Sequence, residues 1–404
     1  MKICLISSGY IQKDPRYYFL ANSLKKANHE VILVNIYLDA RQLPISQGYS
    51  SSKFKILTDY NVLNINFFNY IPSNFTPQSS DFFVSNWYEY VPTFVNQYME
   101  KNGSEKFLEA DVFYGLELFF GSAMSQQFAS VTNKRFIVDF KELFSELCRD
   151  YPKESINTIK AIEEKCINDA WFVPCVSQKI IDFYKQKYNV NQEKFILLEN
   201  SKPCDNLVPD FSRVKRDKVK FIASAGTANK SRGFNELAEI WELLDPDNAT
   251  LDLRISNITD QEKKQIIKIG KKTYAKTLNF IPPVLEDEMT ESLLEYDCGI
   301  IPYLPDAGLN ERYCCPNKFG QYMNAGLAIV SSNTEYITER ISKYNLGIIY
   351  NPNDINGSVE NFKNLIDNRD QLIEKRINAY NFCKEKYEWG HQVQALLTKL
   401  KSSI

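Results

Sequence analysis

The chain has 404 residues, a formal net charge of −2 and 44% hydrophobic residues. At roughly 150 residues per domain, this length predicts two or three domains with large cores. The near-neutral charge gives no bulk attraction to phosphate backbones, so nucleic acid is not expected as a partner.

Neither a signal peptide nor a membrane-spanning segment is indicated. The N-terminus turns polar after Ile6, and no window approaches ~18 uninterrupted apolar residues. The nine cysteines include no CxxC pair and are odd in number, which argues for reduced thiols. We therefore expect a cytoplasmic protein, with peripheral contact to the inner face of a membrane left open.

The chain begins with a predicted βαβ unit. Residues 3–6 form a short apolar run, and the loop that follows contains Gly9. A helix is predicted from Pro15, and a second strand follows at 31–34. No GxGxxG motif is present, so a nicotinamide cofactor is not indicated.

Aromatic residues are concentrated between positions 64 and 99. Aromatic side chains at helical spacing usually pack into a core, and this is the expected arrangement here. The alternative is an apolar acceptor groove or a membrane-facing patch.

Two further predicted strands, 110–114 and 135–139, end at carboxylates. Glu117 follows the first strand, and Asp139 and Glu142 end or follow the second. Ligands of doubly wound sheets lie beyond the carboxyl ends of the strands, so these three are the candidate catalytic residues. They could equally cap the following helices. Further strands, at 171–177 and 195–200, bring the first half to about six.

A second series of strands follows a polar segment at 202–218, which is interpreted as a linker. The strand at 220–223 leads into a turn that contains Gly226, Lys230 and Arg232. Small residues let the backbone approach a ligand closely, and two cations neutralise negative charge, so the turn is typical of a phosphate cradle. The remaining strands are predicted at 251–255, 278–281, 297–301 and 328–330.

The segment 310–332 combines a loop, a short helix, a glycine stop and a buried strand. Pro316 suits a first helical turn, and Gly326 suits a left-handed helix end. Lys318 lies in the first turn, where backbone N–H groups and the helix dipole favour anions, and Gln321 shares its face. The alternative is a buried helix with a solvated lysine.

In this order and at this spacing, several segments make the chain resemble GT-B glycosyltransferases of family 4 (group 1) and their relatives. These segments are 3–7, 14–16, 138–143, 226–233, 297–303 and 316–326. The resemblance implies an α/β fold with two Rossmann-like, doubly wound domains that face each other across a central cleft. The expected parts are an acceptor-side domain at 1–205, a nucleotide-sugar-binding domain at 206–380 and a C-terminal helix at 381–404 that returns to the first domain.

The resemblance also implies the activity. A sugar would pass from a nucleotide-sugar donor to a glycan or lipid-linked acceptor in surface polysaccharide biosynthesis, with retained configuration and with neither a metal nor another cofactor. The implied donor-binding residues are Gly9, Gly226, Lys230, Arg232, Asn310, Pro316, Asn317, Lys318 and Gln321. The acidic clusters at 245–247 and 286–288 are interpreted as solvated turns rather than metal sites.

Two positions depart from the family pattern. Many relatives carry a glutamate where Gln321 stands and another eight positions earlier, where this chain has Tyr313; the familiar first-domain histidine has no counterpart. A glutamine can accept a ribose hydroxyl through its carbonyl but carries no charge. Two alternatives therefore stay open: a non-catalytic homologue that acts as the partner of another transferase, and a sugar-nucleotide epimerase.

Overall fold

The computed structural model divides the chain into two compact units, Met1–Glu199 with Val393–Ile404, and Asn200–Gln392. The second unit thus begins before the predicted residue 206, and the C-terminal segment that groups with the first unit begins after the predicted residue 381. The residues that the structure describes are 1–8, 15–37, 60, 62–67, 80–102, 106–116, 121–205, 207–215, 218–244, 247–286 and 288–402.

The first unit contains a parallel sheet with the strand order β3-β2-β1-β4-β5. Its strands are β1 (Lys2–Ser8), β2 (Glu30–Tyr37), β3 (Val62–Asn66), β4 (Val112–Leu116) and β5 (Arg135–Asp139). Two short strands, β6 (Val173–Cys175) and β7 (Phe195–Leu197), pair with each other. The N–H of Phe140 donates to the carbonyl of Pro174 at 2.8 Å, so this pair continues the sheet beyond β5.

Helices surround this sheet, which explains why its central strands are continuous apolar runs. They are α1 (Pro15–Lys26), α2 (Ser80–Asn102), α3 (Ala123–Thr132), α4 (Phe144–Leu147), α5 (Lys153–Asp169) and α6 (Gln178–Tyr188). Phe94 and Tyr98 of α2 are buried against Phe67 and Phe128. These four aromatics are core residues, as expected; the side chains at 81–89 lie outside the described part of the chain.

The second unit contains a six-stranded parallel sheet with the order β10-β9-β8-β11-β12-β13. Its strands are β8 (Val219–Thr227), β9 (Ala249–Asn257), β10 (Leu278–Ile281), β11 (Cys298–Ile301), β12 (Ala328–Ser332) and β13 (Gly347–Tyr350). In both sheets the order reverses direction after the first strand of the unit, which is the doubly wound arrangement. The prediction of two Rossmann-like sheets is confirmed, although the sequence patterns did not indicate β13.

Ten helices of the described chain complete the fold. They are α7 (Phe234–Leu244), α8 (Asp260–Ile269), α9 (Met289–Leu293), α10 (Leu309–Tyr313), α11 (Asn317–Asn324), α12 (Glu335–Tyr344), α13 (Ile355–Asp367), α14 (Arg369–Phe382), α15 (Trp389–Gln392) and α16 (Gln394–Lys401, in the first unit). A π-helical turn, Cys383–Tyr387, continues α14. No helix in the described ranges is long and apolar enough to cross a bilayer.

A buried ionic network anchors the amino end of β11. The carboxylate of Asp297 is fully buried and accepts hydrogen bonds from Arg213 at 2.6 Å, Arg376 at 2.8 Å and the N–H of Lys220 at 2.9 Å. Arg376 also donates through Nε to the carbonyl of Gly326 at 2.9 Å. The network therefore ties the segment before β8 to α14 and to the end of α11.

Gly326 ends α11 in the predicted left-handed conformation, with φ of 69°. Its N–H bonds to the carbonyl of Met323, and the N–H of Leu327 bonds to that of Tyr322, which is a Schellman motif. A Cβ at this position would lie 2.5 Å from Cγ of Pro209. Both the backbone conformation and the close contact therefore require glycine.

We expect Gly326→Ala to lower the free energy of unfolding by about 2–4 kcal/mol. The alanine would be strained in the left-handed conformation, and its methyl group would overlap with Pro209. Gly226→Ala is the matched control, since Gly226 has no positive φ and no atom within 4 Å of the added Cβ. Urea unfolding followed by circular dichroism measures both. Equal stabilities of the two variants would contradict the requirement for glycine at 326.

Candidate functional site

Several predicted donor-binding residues lie at the carboxyl end of the second sheet. They belong to the turn after β8 and to the connection between β11 and β12, which contains α10 and α11. β8 and β11 are neighbouring strands at the centre of that sheet, where the strand order reverses. This is the position at which doubly wound sheets bind ligands.

The turn after β8 contains a single 3₁₀ turn, Lys230–Arg232, followed by Gly233. Gly233 has φ of 64°, and a Cβ there would clash with the carbonyl oxygen of Pro302. The carbonyl of Ser231 accepts a hydrogen bond from the N–H of Leu304 at 2.9 Å. The turn is therefore fixed against the chain that leaves β11.

This packing determines where Arg232 lies. Its guanidinium carbon is 4.3 Å from the centre of the buried Tyr303 ring, a cation–π arrangement. Lys230 is exposed, and so is Gly226 at the end of β8. Arg232 is thus the oriented cation of the turn, whereas Lys230 projects into solvent.

α11 begins at Asn317, after Pro316 in an extended conformation with ψ of 141°. Pro316 therefore precedes the helix, one position earlier than its predicted place in the first turn. No side chain caps the helix start. The first N–H groups of α11 consequently have no partner from a capping side chain and can bind an anion.

Lys318 is half-buried in this first turn. Burial lowers the pKa of Lys318, and the nearby positive charge of Arg232 lowers it further, whereas the charge of Glu286 opposes both effects. Two cations close enough to disfavour each other's charge are stabilised when an anion binds between them. Lys318 and Arg232 are 86 positions apart in the sequence, and only the family resemblance predicted that they share a site. In the structure they are close enough for the charge of Arg232 to act on Lys318.

Gln321 is buried, one helical turn after Lys318. Its amide nitrogen donates to both carboxylate oxygens of Glu286, at 2.9 and 3.0 Å. Glu286 follows β10 and is half-buried. The interpretation of 286–288 as a solvated turn is therefore wrong for Glu286, which Gln321 holds beside Lys318.

The other residues that the sequence predicted for this site lie in or next to α10 and α11. Asn310 is buried in α10, and Asn317 is exposed at the start of α11. Tyr313, at the end of α10, is half-buried, with the guanidinium of Arg312 5.6 Å from its ring centre. Arg312 is also ion-paired with Glu335.

Asp139 ends β5 and is fully buried. Its two carboxylate oxygens accept hydrogen bonds from Nε and Nη2 of Arg16, at 3.0 and 2.9 Å, and from the hydroxyl of Tyr114 at 3.0 Å. Arg16 also donates to the carbonyl of Glu199 at 3.3 Å. A carboxylate with this environment stabilises the unit from within, so the geometry favours a structural role over the predicted catalytic one.

Glu142 is half-buried in the segment after β5, and its carbonyl accepts a hydrogen bond from Tyr184 at 3.4 Å. Two other predicted residues, Gly9 and Glu117, lie outside the described ranges. Their roles remain predictions from the sequence.

Sequence reasoning missed two residues of the site, Glu286 and Tyr303. Both follow strands of the second sheet at its carboxyl end, and this position is a signal that could have indicated them. No group of three or more His, Cys, Asp or Glu side chains suited to a metal ion occurs in the described ranges.

No protein-family model and no curated protein matches the sequence. Solved structures are similar over the whole chain, however. Sucrose-phosphate synthase from Thermosynechococcus elongatus gives a TM-score of 0.74 at 11% identity, with 100% of both chains covered. HepE from Anabaena, in complex with UDP, gives 0.67 at 13% identity, again with 100% of both chains covered.

WaaG, a glycosyltransferase involved in lipopolysaccharide biosynthesis, gives a TM-score of 0.60 at 12% identity and 98% coverage of both chains. HepE has also been solved with UDP-glucose. These neighbours share the GT-B architecture, and the two parallel sheets agree with it. The chain therefore has the GT-B fold that the sequence predicted.

We expect Asp139→Asn to cost about 3–5 kcal/mol of unfolding free energy, because it removes the fully buried carboxylate charge that is paired with the Arg16 guanidinium. Urea unfolding measures the loss, and Asp150→Asn, an exposed carboxylate in the following segment, is the control. A variant of unchanged stability that had lost all turnover would instead restore Asp139 as a catalytic residue.

Proposed function

We propose that the chain is a glycosyltransferase that moves a sugar from a nucleotide-sugar donor to a glycan or lipid-linked acceptor. The observation that carries this proposal is the set of oriented groups at the carboxyl end of the second sheet. After burial, the positive charge of Arg232 lowers the pKa of Lys318, and Gln321 holds the carboxylate of Glu286, whose negative charge acts on the same lysine. The two cations suit the diphosphate of a nucleotide sugar, and the carboxylate beside them suits the two hydroxyls of its ribose.

Arg232 and Lys318 would bind the diphosphate. When the glycosidic bond to the donor breaks, negative charge grows on the leaving diphosphate, and two pre-oriented cations stabilise it more in the transition state than in the ground state. The uncapped start of α11 adds backbone donors to this clamp. Lys230, Gly226, Asn310, Asn317 and Pro316 would line the same anion site, and Gly9 stays a donor-binding candidate from the sequence.

Glu286 would accept hydrogen bonds from the ribose hydroxyls. Relatives that this chain resembles carry a glutamate where Gln321 stands, and here the amide of Gln321 instead fixes a carboxylate from the loop after β10. A carboxylate is the stronger acceptor for a hydroxyl, because charge-assisted hydrogen bonds are about twice as strong as neutral ones. The substitution at 321 is therefore compatible with donor binding.

HepE, a neighbour of the same fold, binds UDP and UDP-glucose, which supports a uridine nucleotide as the first donor to test. A role in surface polysaccharide biosynthesis, retention of configuration, independence from metals and a cytoplasmic setting with peripheral membrane contact belong to the same proposal. Glu142 and Glu117 remain the candidates for polar contact with the reacting sugar.

Two alternatives stay open, a non-catalytic homologue and an epimerase. Tyr313 and Gln321 replace glutamates of the family pattern, and the predicted catalytic Asp139 is locked in an ion pair, which favours a non-catalytic partner of another transferase. A sugar-nucleotide epimerase shares the fold. Product analysis separates the three: transfer requires an acceptor, epimerisation proceeds without one, and a non-catalytic partner yields no product.

We expect UDP or a UDP-sugar to raise the thermal unfolding midpoint, since a ligand that binds only the folded state stabilises it. Lys318→Ala and Arg232→Ala should each weaken UDP binding by about 10- to 100-fold, because each variant loses one charge-assisted hydrogen bond to the diphosphate. Lys264→Ala, an exposed lysine of α8, is the matched control. Failure of every UDP-, GDP-, CMP- and dTDP-sugar to bind or turn over would refute the proposal.

We expect the protein to bind UDP about tenfold more tightly than 2′-deoxy-UDP, because only UDP offers a 2′-hydroxyl to Glu286. In Glu286→Ala this preference should fall to about one, while Glu291→Ala, an exposed carboxylate of α9, should keep it. Isothermal titration calorimetry measures the six affinities, one for each of the three proteins with each of the two ligands. A preference that survives in Glu286→Ala would assign the ribose contact to another residue.

A further inference from the structure

Two cysteine side chains of the second unit are in contact. Sγ of Cys204 lies 3.8 Å from Sγ of Cys383, although the residues are 179 positions apart. Both are thiols. A disulfide has an S–S distance of about 2.05 Å, so the two sulfurs need to approach by only about 1.8 Å to form one.

The two thiols differ in reactivity. Cys204 is partly exposed, between the exposed Pro203 and Asp205, whereas Cys383 is buried. The hydrogen bond between the two thiols lowers the pKa of Cys204, and the positive charge of Lys384 acts in the same direction, whereas partial burial and the negative charge of Glu388 oppose them. That hydrogen bond, followed by burial, raises the pKa of Cys383. Cys204 therefore has the greater thiolate character and the better access.

Other cysteines of the chain have the opposite environment. Burial raises the pKa of Cys148 to about 11 and that of Cys166 to about 12, and it also raises the pKa values of Cys4, Cys175 and Cys298. Thiols without thiolate character react slowly with oxidants. Cys204 thus differs from these five buried thiols both in its exposure and in its contact with Cys383.

We propose that Cys204 and Cys383 form a site of reversible oxidation by hydroperoxides. The thiolate of Cys204 attacks hydrogen peroxide, and the O–O bond breaks to give a sulfenic acid and a hydroxide. The hydroxide takes up the proton that the Cys204 thiol released and becomes one water. The sulfur of Cys383 then attacks the sulfenic sulfur, the S–O bond breaks, and the hydroxyl leaves as a second water with the proton of Cys383. Two thiols and one hydrogen peroxide give one disulfide and two waters.

The location of Cys383 connects this site to α11. Cys383 begins the π-helical turn that ends at Tyr387. The hydroxyl of Tyr387 donates to the carbonyl of Asn200 at 2.9 Å and lies 2.9 Å from Sγ of Cys315, and its ring packs edge-on against Phe319 of α11. Closure of the disulfide displaces this turn, and we infer that it weakens ligand binding by Lys318 and Gln321; this part rests on the proposed function.

Oxidation itself is tested on the reduced, full-length chain. Treatment with equimolar hydrogen peroxide should remove the mass of two hydrogen atoms, and peptide mapping should find Cys204 linked to Cys383, with reversal by a thiol reductant. In Cys383→Ser, a sulfenic-acid probe should label Cys204; in Cys204→Ser, Cys383 should stay unmodified. Cys148→Ser, the control, should form the same disulfide. Absence of the Cys204–Cys383 crosslink, or a different cysteine pair, would overturn the site.

The connection to α11 is tested by the affinity for UDP. The oxidised wild-type chain should bind UDP about fivefold more weakly than the reduced chain, and peroxide should not change the affinity of Cys204→Ser. Equal affinities of the crosslinked and reduced forms would contradict the connection. If neither form binds UDP but the crosslink is found, the proposed function fails while the oxidation site stands.

Discussion

The second unit depends on one buried carboxylate, that of Asp297. It has no exposed surface, and it is compensated by two guanidinium groups and a backbone N–H that come from three separate segments. Because removal of one partner from such a network leaves an uncompensated buried charge, the three segments are constrained together. Arg376 extends the constraint to Gly326, and so to the end of α11.

Because the residue that terminates the helix, Gly326, is held in place, α11 has few ways to move. The hydroxyl of Tyr322 accepts a hydrogen bond from the N–H of Ser224 in β8, at 2.8 Å, and Phe319 packs between Tyr336 and Tyr387. The buried side of the helix therefore determines the direction of Lys318 and Gln321. The rigid elements behind α11 therefore fix the geometry of the candidate site, and Gln321 in turn holds Glu286, which lies on the loop after β10.

Local patterns in the sequence predicted much of this fold and part of the site. Gly326 was recognisable because a left-handed helix end needs glycine, and the small residues and cations after β8 marked a strand-to-helix turn. Pairings between distant residues were beyond such reasoning. The contact between Gln321 and Glu286 spans 35 positions, and the ion pair of Asp139 with Arg16 spans 123. The local sequence around a carboxylate at a strand end does not show whether the carboxylate binds a ligand or pairs with a distant arginine.

The division of the chain also has a consequence for the order in which the protein is made. Residues Val393–Ile404 belong to the first unit, and Lys399 of α16 donates to the backbone carbonyl of Glu193, 206 positions earlier. A ribosome must therefore synthesise the entire second unit before the last helix of the first can dock. The earlier part of the first unit emerges without α16, so the nascent chain completes its first unit only after the second unit has been synthesised.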